Sequence, residues 1–335
     1  MSDAPADKVA SAEGFPRPAS GPAVVALGGG HGLAASLAAL RRLTDDVTAV
    51  VTVADNGGSS GRLREQYEML PPGDLRMALA ALCGDDHWGR TWAGVLQHRF
   101  AGDGDLSGHA LGNLLIAAVW QRLDDPVAGL DLVGALLRSH GRVLPMSTQP
   151  LSLQALVRAA PDAEPSPVVG QVQVATTPGD VVGVSLLPAD PAACPEAVKA
   201  VLDADLVVLG PGSWFSSVIP HLLVPELADA VRTTSATRLV LLNLRSATAE
   251  TEAYLPEDLL EVLAQYAPGL VVDVVLADTA SVPDQVALVN AAAALGAELV
   301  LGDLADPSAG DQHDPARLTA ALAAIGGRGK MPAWR

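Results

Sequence analysis

Order begins at Val24. Four apolar residues, Val24–Leu27, are followed by Gly28, Gly29, Gly30, His31 and Gly32. Apolar positions then recur at Leu33, Leu37, Leu40 and Leu43, the spacing of one helix face. A second apolar run, Val47–Val53, is rich in β-branched residues and suits a strand buried on both sides. It closes on Asp55 and Asn56 and opens a second polar loop, Gly57, Gly58, Ser59, Ser60 and Gly61. Strand, glycine loop, helix, strand, glycine loop is a βαβ unit. Both loops fall at the carboxyl edge of a parallel sheet, where open α/β sheets bind ligands.

The same periodicities run on. After Leu70-Pro71-Pro72-Gly73-Asp74 they predict a helix from Leu75 to about Leu82, with Asp74 suited equally to an N-cap and to a ligand contact. A loop over 84–87 precedes a helix Trp92–Phe100; His87 in the loop and His98 in the helix read as ordinary polar positions. Ser107 or Gly108 caps a further helix to about Gln121, which puts His109 and Asn113, four apart, on one face. Val127–Ser139 is amphipathic, and Val143–Met146 is a short strand. Residues 151–188 change character. Val168–Val174 and Val181–Leu187 read as two strands of a hairpin-like element around a turn at 176–180. A helix over Pro195–Leu202 leads to a strand at Leu206–Leu209, whose end carries a third loop, Gly210, Pro211, Gly212 and Ser213, with Ser216 and Ser217 beyond. Trp214 and Phe215 suit either base stacking or the core. The strand Leu239–Leu242 ends at Asn243. Val271–Leu276 and Leu299–Leu301 are the last strands, with helices at about Glu257–Gln265, Asp284–Leu295 and Pro315–Ile325. The expected fold is α/β: a Rossmann-like parallel sheet with helices on both faces and a small β-rich insertion at about 151–188. It occupies one domain, 22–325, between a disordered tail (1–21) and a frayed one (326–335).

Composition narrows the function. The 335 residues are 49% hydrophobic but only 3% aromatic, so the core is built from Ala, Val and Leu. A formal charge of −17 disfavours nucleic acid and anionic membrane as partners. The candidate groups of the first 110 residues are nevertheless cationic or neutral: His31, Arg62, Arg64, Arg76 and His109. A locally positive pocket on an acidic protein suits a small anion. Two cysteines, Cys83 and Cys194, far apart, fit a reducing compartment. No apolar run reaches the length of a membrane span. The N-terminus lacks the apolar stretch of a signal peptide. The expected location is the cytoplasm.

Glycines without Cβ let a ligand lie against the backbone, and the following helix aims free N–H groups and a partial positive charge at it. Phosphate is the usual occupant. Ser59, Ser60 and Arg62 add donors, so two such loops point to a diphosphate, hence to a nucleotide or nucleotide sugar. The dinucleotide fingerprint fails at Leu33, and no P-loop lysine motif exists. Arg76, in the first turn of its helix, opposes the helix dipole unless something anionic is near. Gly112 costs its helix stability unless close packing or a ligand needs it.

The stretches GGGHGL, TVADNGGSSGRLR, LPPGDLR, GHALGNLL and GPGSWFSSVIPHLLV closely resemble, in this order and spacing, the YvcK family of gluconeogenesis factors. That family is a branch of the superfamily that includes 2-phospholactate transferase, and the resemblance covers about 22–325. It implies a cytosolic, UDP-sugar-binding regulator of cell shape and cell-wall metabolism under gluconeogenic growth. UDP-N-acetylglucosamine is the implied ligand, with no required cofactor and an unidentified regulatory protein partner. The apolar positions Val168, Val169 and Val172 of the insertion, which would otherwise sit on the surface, point to a homodimer. The implied binding set is Gly28–Leu33, Asp55–Ser60, Arg62, Asp74, Arg76, His109, Asn113, Gly210–Ser213, Ser217 and Asn243. The alternative is a Mg²⁺-dependent transferase acting on a nucleoside-diphosphate donor. Much of the superfamily has two adjacent carboxylates where this chain has Asp55-Asn56. Two other departures are Ala249-Glu250-Thr251, without the family's Pro-Gly pair, and Gln312 where an Arg precedes the late His-Asp pair.

Overall fold

The computed structural model describes residues 21–160, 162–244, 251, 254–326 and 334. The expected tail 1–21 lies almost wholly outside these residues, as do most of 326–335 and the pair Ala249-Glu250.

The first unit is as the periodicity requires: β1 (Val24–Gly28), α1 (Gly30–Leu40) and β2 (Val47–Val51). Then come α2 (Gly58–Tyr67), α3 (Gly73–Ala81), α4 (His87–Gln97), α5 (Leu111–Leu123), α6 (Pro126–Leu137) and β3 (Arg142–Pro145). The insertion holds β4 (Ser152–Arg158), β5 (Ser166–Val169), α7 (Gln171–Thr176) and β6 (Asp180–Leu187). The second half runs α8 (Pro195–Asp203), β7 (Leu206–Leu209), α9 (Pro225–Thr233), β8 (Thr237–Leu241), α10 (Pro256–Tyr266), β9 (Val274–Asp278), α11 (Gln285–Ala294), β10 (Glu298–Gly302) and α12 (Pro315–Ile325).

Seven strands form one parallel sheet in the order β10-β9-β8-β7-β1-β2-β3. The central strands are continuous apolar runs because helices cover the sheet: every residue of β1, β7 and β9 is buried, whereas β10, at an edge, is half-exposed. α1 packs between α3 and α12, and α8 packs on α9. The strand order reverses between β1 and β7, the Rossmann arrangement with its ligand crevice at the switch point.

The insertion differs from the expected hairpin. β4, which the apolar pattern did not single out, is the centre of a three-stranded antiparallel sheet, β5-β4-β6. Its alternation is masked because Leu156 is apolar yet points outward, while Leu153, Ala155 and Val157 point in. Residues 171–176 are helical rather than extended, since Gly170, at φ +105°, turns the chain out of β5. Trp214 and Phe215 are buried in a π-helical turn (Trp214–Val218), which assigns both to the core and not to base stacking.

A 3₁₀ turn (Ile219–Leu223) brings His221 under the sheet, fully buried, with Nδ1 3.3 Å from the Val218 carbonyl and Nε2 3.1 Å from that of Val50. Burial lowers its pKa to about 4, against the opposing pull of these carbonyls. The folded state therefore resists a proton that the unfolded chain accepts near 6.5. The stabilisation is complete above that pH and is lost as the pH falls toward 4. Urea unfolding across this window is expected to give a His221→Gln variant whose pH slope is shallower by about one proton, about 1.4 kcal/mol per pH unit. An unchanged slope would show that the imidazole is already protonated when folded.

Candidate functional site

Two glycine loops meet at the switch point. Gly29 precedes α1, and a Cβ there would lie 2.5 Å from Thr52 Cγ2 and 2.6 Å from Asp74 Oδ2. Gly32 packs on the Pro211 carbonyl, so the loops after β1 and β7 touch with no side chain between them. Leu33 is core, and His31 is exposed at the outer rim beside Gly30. Asn243 braces the third loop: Gly212 N–H donates to its Oδ1 and its Nδ2 donates to the Gly212 carbonyl, both at 2.8 Å. Its whole amide is thus spent on shaping the loop. Ser217, buried, lies under Gly29, and Ser213 opens the π-helical turn.

The second loop is shorter than its composition implies. α2 begins at Gly58, so Ser59, Ser60, Gly61 and Arg62 belong to its first turns. A pocket of about 220 Å³ opens there, lined by Asp55, the segment Gly57–Ser60, Gly73, Asp74, Arg76, Met77, Arg99 and Asn113. Helices α4, α6, α11 and α12 each start on an aspartate side chain that accepts backbone N–H groups. The helices that line the pocket, α2, α3 and α5, have no side-chain cap of their own at the N-cap position. Their free N–H groups are what an anion would use.

Arg62 does not line this pocket. Its exposed guanidinium donates to the Ser107 carbonyl at 2.7 Å. Arg64 reaches Ser152 Oγ at 3.0 Å, at the start of β4. The pocket's cations are Arg76 and Arg99. Arg99 was absent from the sequence reading. It sits at a hairpin-like return closed by a bridge between Arg99 and Ala110; the glycine- and aspartate-rich turn at 102–105 was the signal for it. Arg99 donates to the Gly108 carbonyl at 2.9 Å, and Arg76 Nη1 donates to Gln97 Oε1. Burial and the nearby Arg99 lower the Arg76 pKa to about 10, which Asp74 and Asp55 oppose. It remains a cation.

Asp74 is not the N-cap of α3. Pro72 holds that position, and Asp74 lies in the first turn. Its carboxyl lies instead at the N-terminus of α1, where a Cβ on Gly29 would be 2.6 Å from its Oδ2. Desolvation, then the neighbouring Asp55, raise its pKa to about 7, against the Gly30 bond and Arg76. Asp55 Oδ1 accepts from Gly57 N–H at 2.8 Å. Asn56 turns away to the insertion: Nδ2 donates to Gln173 Oε1 at 2.7 Å, and Oδ1 accepts from Val172 N–H at 3.1 Å. Both of its polar atoms are engaged by α7, so the carboxylates offered to a metal in the pocket are Asp55 and Asp74. Among the described residues, no three His, Cys, Asp or Glu side chains gather as a metal site.

His109 and Asn113 do converge, but not through a shared helix face. α5 starts at Leu111, because the Arg99–Ala110 bridge holds the preceding residues extended. They meet at Ser59: its hydroxyl accepts from Asn113 Nδ2 at 3.0 Å and contacts His109 Nδ1 at 3.0 Å. Burial, then Arg62, lower the His109 pKa. Gly112 is explained by packing: a Cβ there would lie 2.8 Å from Arg76 Cγ. A further cleft of about 240 Å³, between Tyr67, Trp120 and Thr148, is lined by no arginine and no glycine.

The family model of 2-phospho-L-lactate transferase CofD matches residues 24–310. The chain is 53% identical over 305 residues to a protein of Mycobacterium tuberculosis (strain CDC 1551 / Oshkosh) named "Putative gluconeogenesis factor", covering 89% of each. It is 37% identical over 264 residues to the "Gluconeogenesis factor" of Listeria monocytogenes, covering 79% of this chain and 80% of that one. A crystal structure of a UPF0052 family member from Bacillus halodurans superposes with a TM-score of 0.80 at 30% identity, covering 90% and 99% of the two chains. The seven-stranded sheet, the glycine loops at its carboxyl edge and these matches together make the chain a member of the CofD family, in its gluconeogenesis-factor (YvcK, UPF0052) branch.

Proposed function

We propose that this chain is a cytoplasmic nucleotide-sugar-binding regulator, with UDP-N-acetylglucosamine as its ligand, acting on cell shape and cell-wall metabolism under gluconeogenic growth. The observation that carries the binding reading is the pocket at the uncapped start of α2, walled by Arg76 and Arg99. The diphosphate lies at the start of α2, the nucleoside along the first and third loops, and the sugar toward Asn113. Arg62 belongs to the rim. Asp74, protonated in this state, donates to the phosphate instead of repelling it. No metal is needed, because N–H groups and guanidinium groups balance the charge.

One observation favours the second reading, a Mg²⁺-dependent transferase: Asp55 and Asp74 face one pocket. Two carboxylates bind Mg²⁺ only when the ligand's phosphates complete the shell, and Asn56, whose amide holds α7, adds no third ligand. A homodimer is part of the proposal. The outer face of the insertion sheet exposes Leu156, Val169, Val182 and Leu187, an apolar set that a second copy would cover.

Calorimetric titration with UDP-N-acetylglucosamine is expected to give affinities within about twofold in Mg²⁺ and in EDTA. Binding that disappears in EDTA, with Mg²⁺-dependent turnover of a nucleoside-diphosphate donor, would establish the transferase. Proton linkage gives a second test. A bound anion favours protonated Asp74, so affinity in EDTA should be highest below pH 7. Above that pH it should fall by up to about tenfold per unit. Asp74→Asn should flatten the profile; an equally steep profile in the variant would assign the proton elsewhere. Light scattering is expected to give a dimer mass for the wild type and a monomer for Leu156→Glu, whereas a monomeric wild type removes the dimer.

A further inference from the structure

Aromatic residues are scarce in this chain, 3% of the sequence, yet two of its five tryptophans are spent on one outer face. Trp88 and Trp92 stand four apart on α4, with ring centroids 5.7 Å apart, and Trp88 is 38% exposed. Of the eleven residues of α4, only Gly89 and Leu96 are buried. Arg138, at the end of α6, lays its guanidinium over the Trp88 ring, 5.0 Å from the centroid. The end of α6 and the start of α4 therefore form one surface. Leu132 and Leu136, one turn apart, are exposed on α6 on the way to Arg138. Large apolar side chains gathered on two adjacent helices mark an interaction surface, unlike apolar residues scattered singly. Tryptophan and arginine are also the residues that carry most of the energy in such contacts.

The charges around this face determine what covers it. Its carboxylates are already engaged: Asp85 by Arg41 at 2.6 Å, Asp131 by Arg142 at 2.7 Å, and Asp86 by the Gly89 N–H as the N-cap of α4. Its remaining cations are not. Arg138 rests on Trp88, and Arg90 donates to the Asp85 carbonyl; among the described residues neither forms an ion pair. On a chain of formal charge −17, this face is apolar with an unbalanced positive rim. A second copy docked here about a two-fold axis would set the same arginines against themselves. The acidic chain as a whole repels nucleic acid. The complement is an acidic protein. We propose that Trp88, Trp92 and Arg138, with Leu132 and Leu136 beside them, form a docking surface for an acidic segment of another protein. Its apolar anchors sit on the tryptophans and leucines, and its carboxylates pair with Arg138 and Arg90. α4 runs on from this surface to Gln97, whose side chain accepts from Arg76, so the surface and the pocket wall share one helix.

The test is selection of a random peptide library displayed on phage against the full chain, followed by calorimetric titration with the selected peptides. These are expected to carry large apolar residues and a net negative charge. Their affinity should fall about tenfold or more in Trp88→Ala and about threefold or more in Arg138→Ala. It should also weaken with added salt, less steeply in Arg138→Ala than in the wild type. Thermal melting checks the fold of each variant; if Trp88→Ala does not fold, Arg138→Glu is expected to weaken binding more than Arg138→Ala does. The proposal is overturned if no peptide is selected, if the selected peptides are basic, or if their affinity is unmoved by these substitutions. Two further results also overturn it. A wild-type dimer that dissociates in Trp88→Glu, by light scattering, would assign the face to a second copy. Binding to phosphatidylglycerol vesicles that disappears in the variants would assign it to a membrane surface.

Discussion

The site is organised around a carboxyl group at the N-terminus of a helix to which it does not belong. Asp74 projects from the first turn of α3 to the start of α1, where a Cβ on Gly29 would lie 2.6 Å from its Oδ2. The packing of α3 on α1 holds it there, and Arg76 follows in the same helix. The arrangement also needs Gly29, because any side chain there would collide with the Asp74 oxygen and with Thr52. The cost of keeping a carboxylate so poorly solvated appears as its raised pKa. A position that attracts anions is thus held by a group that can change its own charge near neutrality, and the start of α2 is left as the open anion site.

The insertion is tied to the same machinery. Asn56 holds α7 by both ends of its amide, Arg64 holds Ser152, and Val184 N–H donates to Tyr266 Oη at 2.6 Å. Val172 of α7 lies over Gly57, where a Cβ would be 2.7 Å from its Cγ2. The Asn that departs from the superfamily's paired carboxylates is therefore a structural residue here. A charged Asp would lose the donor that Gln173 receives, unless the glutamine amide turned over.

The sheet was legible in the sequence because a parallel strand buried on both faces leaves an unbroken apolar signature, as at Val24–Leu27 and Leu206–Leu209. The three glycine loops were legible for the same reason, each following such a run. Side-chain direction was not. Arg62 and Arg76 each follow a polar loop in the sequence, yet one leans out to Ser107 and the other is buried. Arg99 falls in the expected helix Trp92–Phe100, but α4 ends at Gln97, and its place depends on a bridge to Ala110 that local spacing cannot reveal. His109 and Asn113 were paired for a reason the structure replaces: a common partner, Ser59, and not a common helix face. β4 was missed because one outward leucine hid its alternation.

The strand order carries a cost in time. β1, the middle of the sheet, is hydrogen-bonded on one side to β2, which follows it closely, and on the other to β7. Its neighbouring anchor, Ala23 N–H to Asp205, joins residues 182 apart. A nascent chain can assemble β1, β2 and β3 early, but the other edge of β1 then stays open until β7 leaves the ribosome, after the whole insertion has been made. Non-local pairing of this kind slows folding, and an apolar, unpaired edge is a template for wrong partners. The crevice at the switch point is completed by that pairing, so the cell makes most of this protein before the crevice can exist.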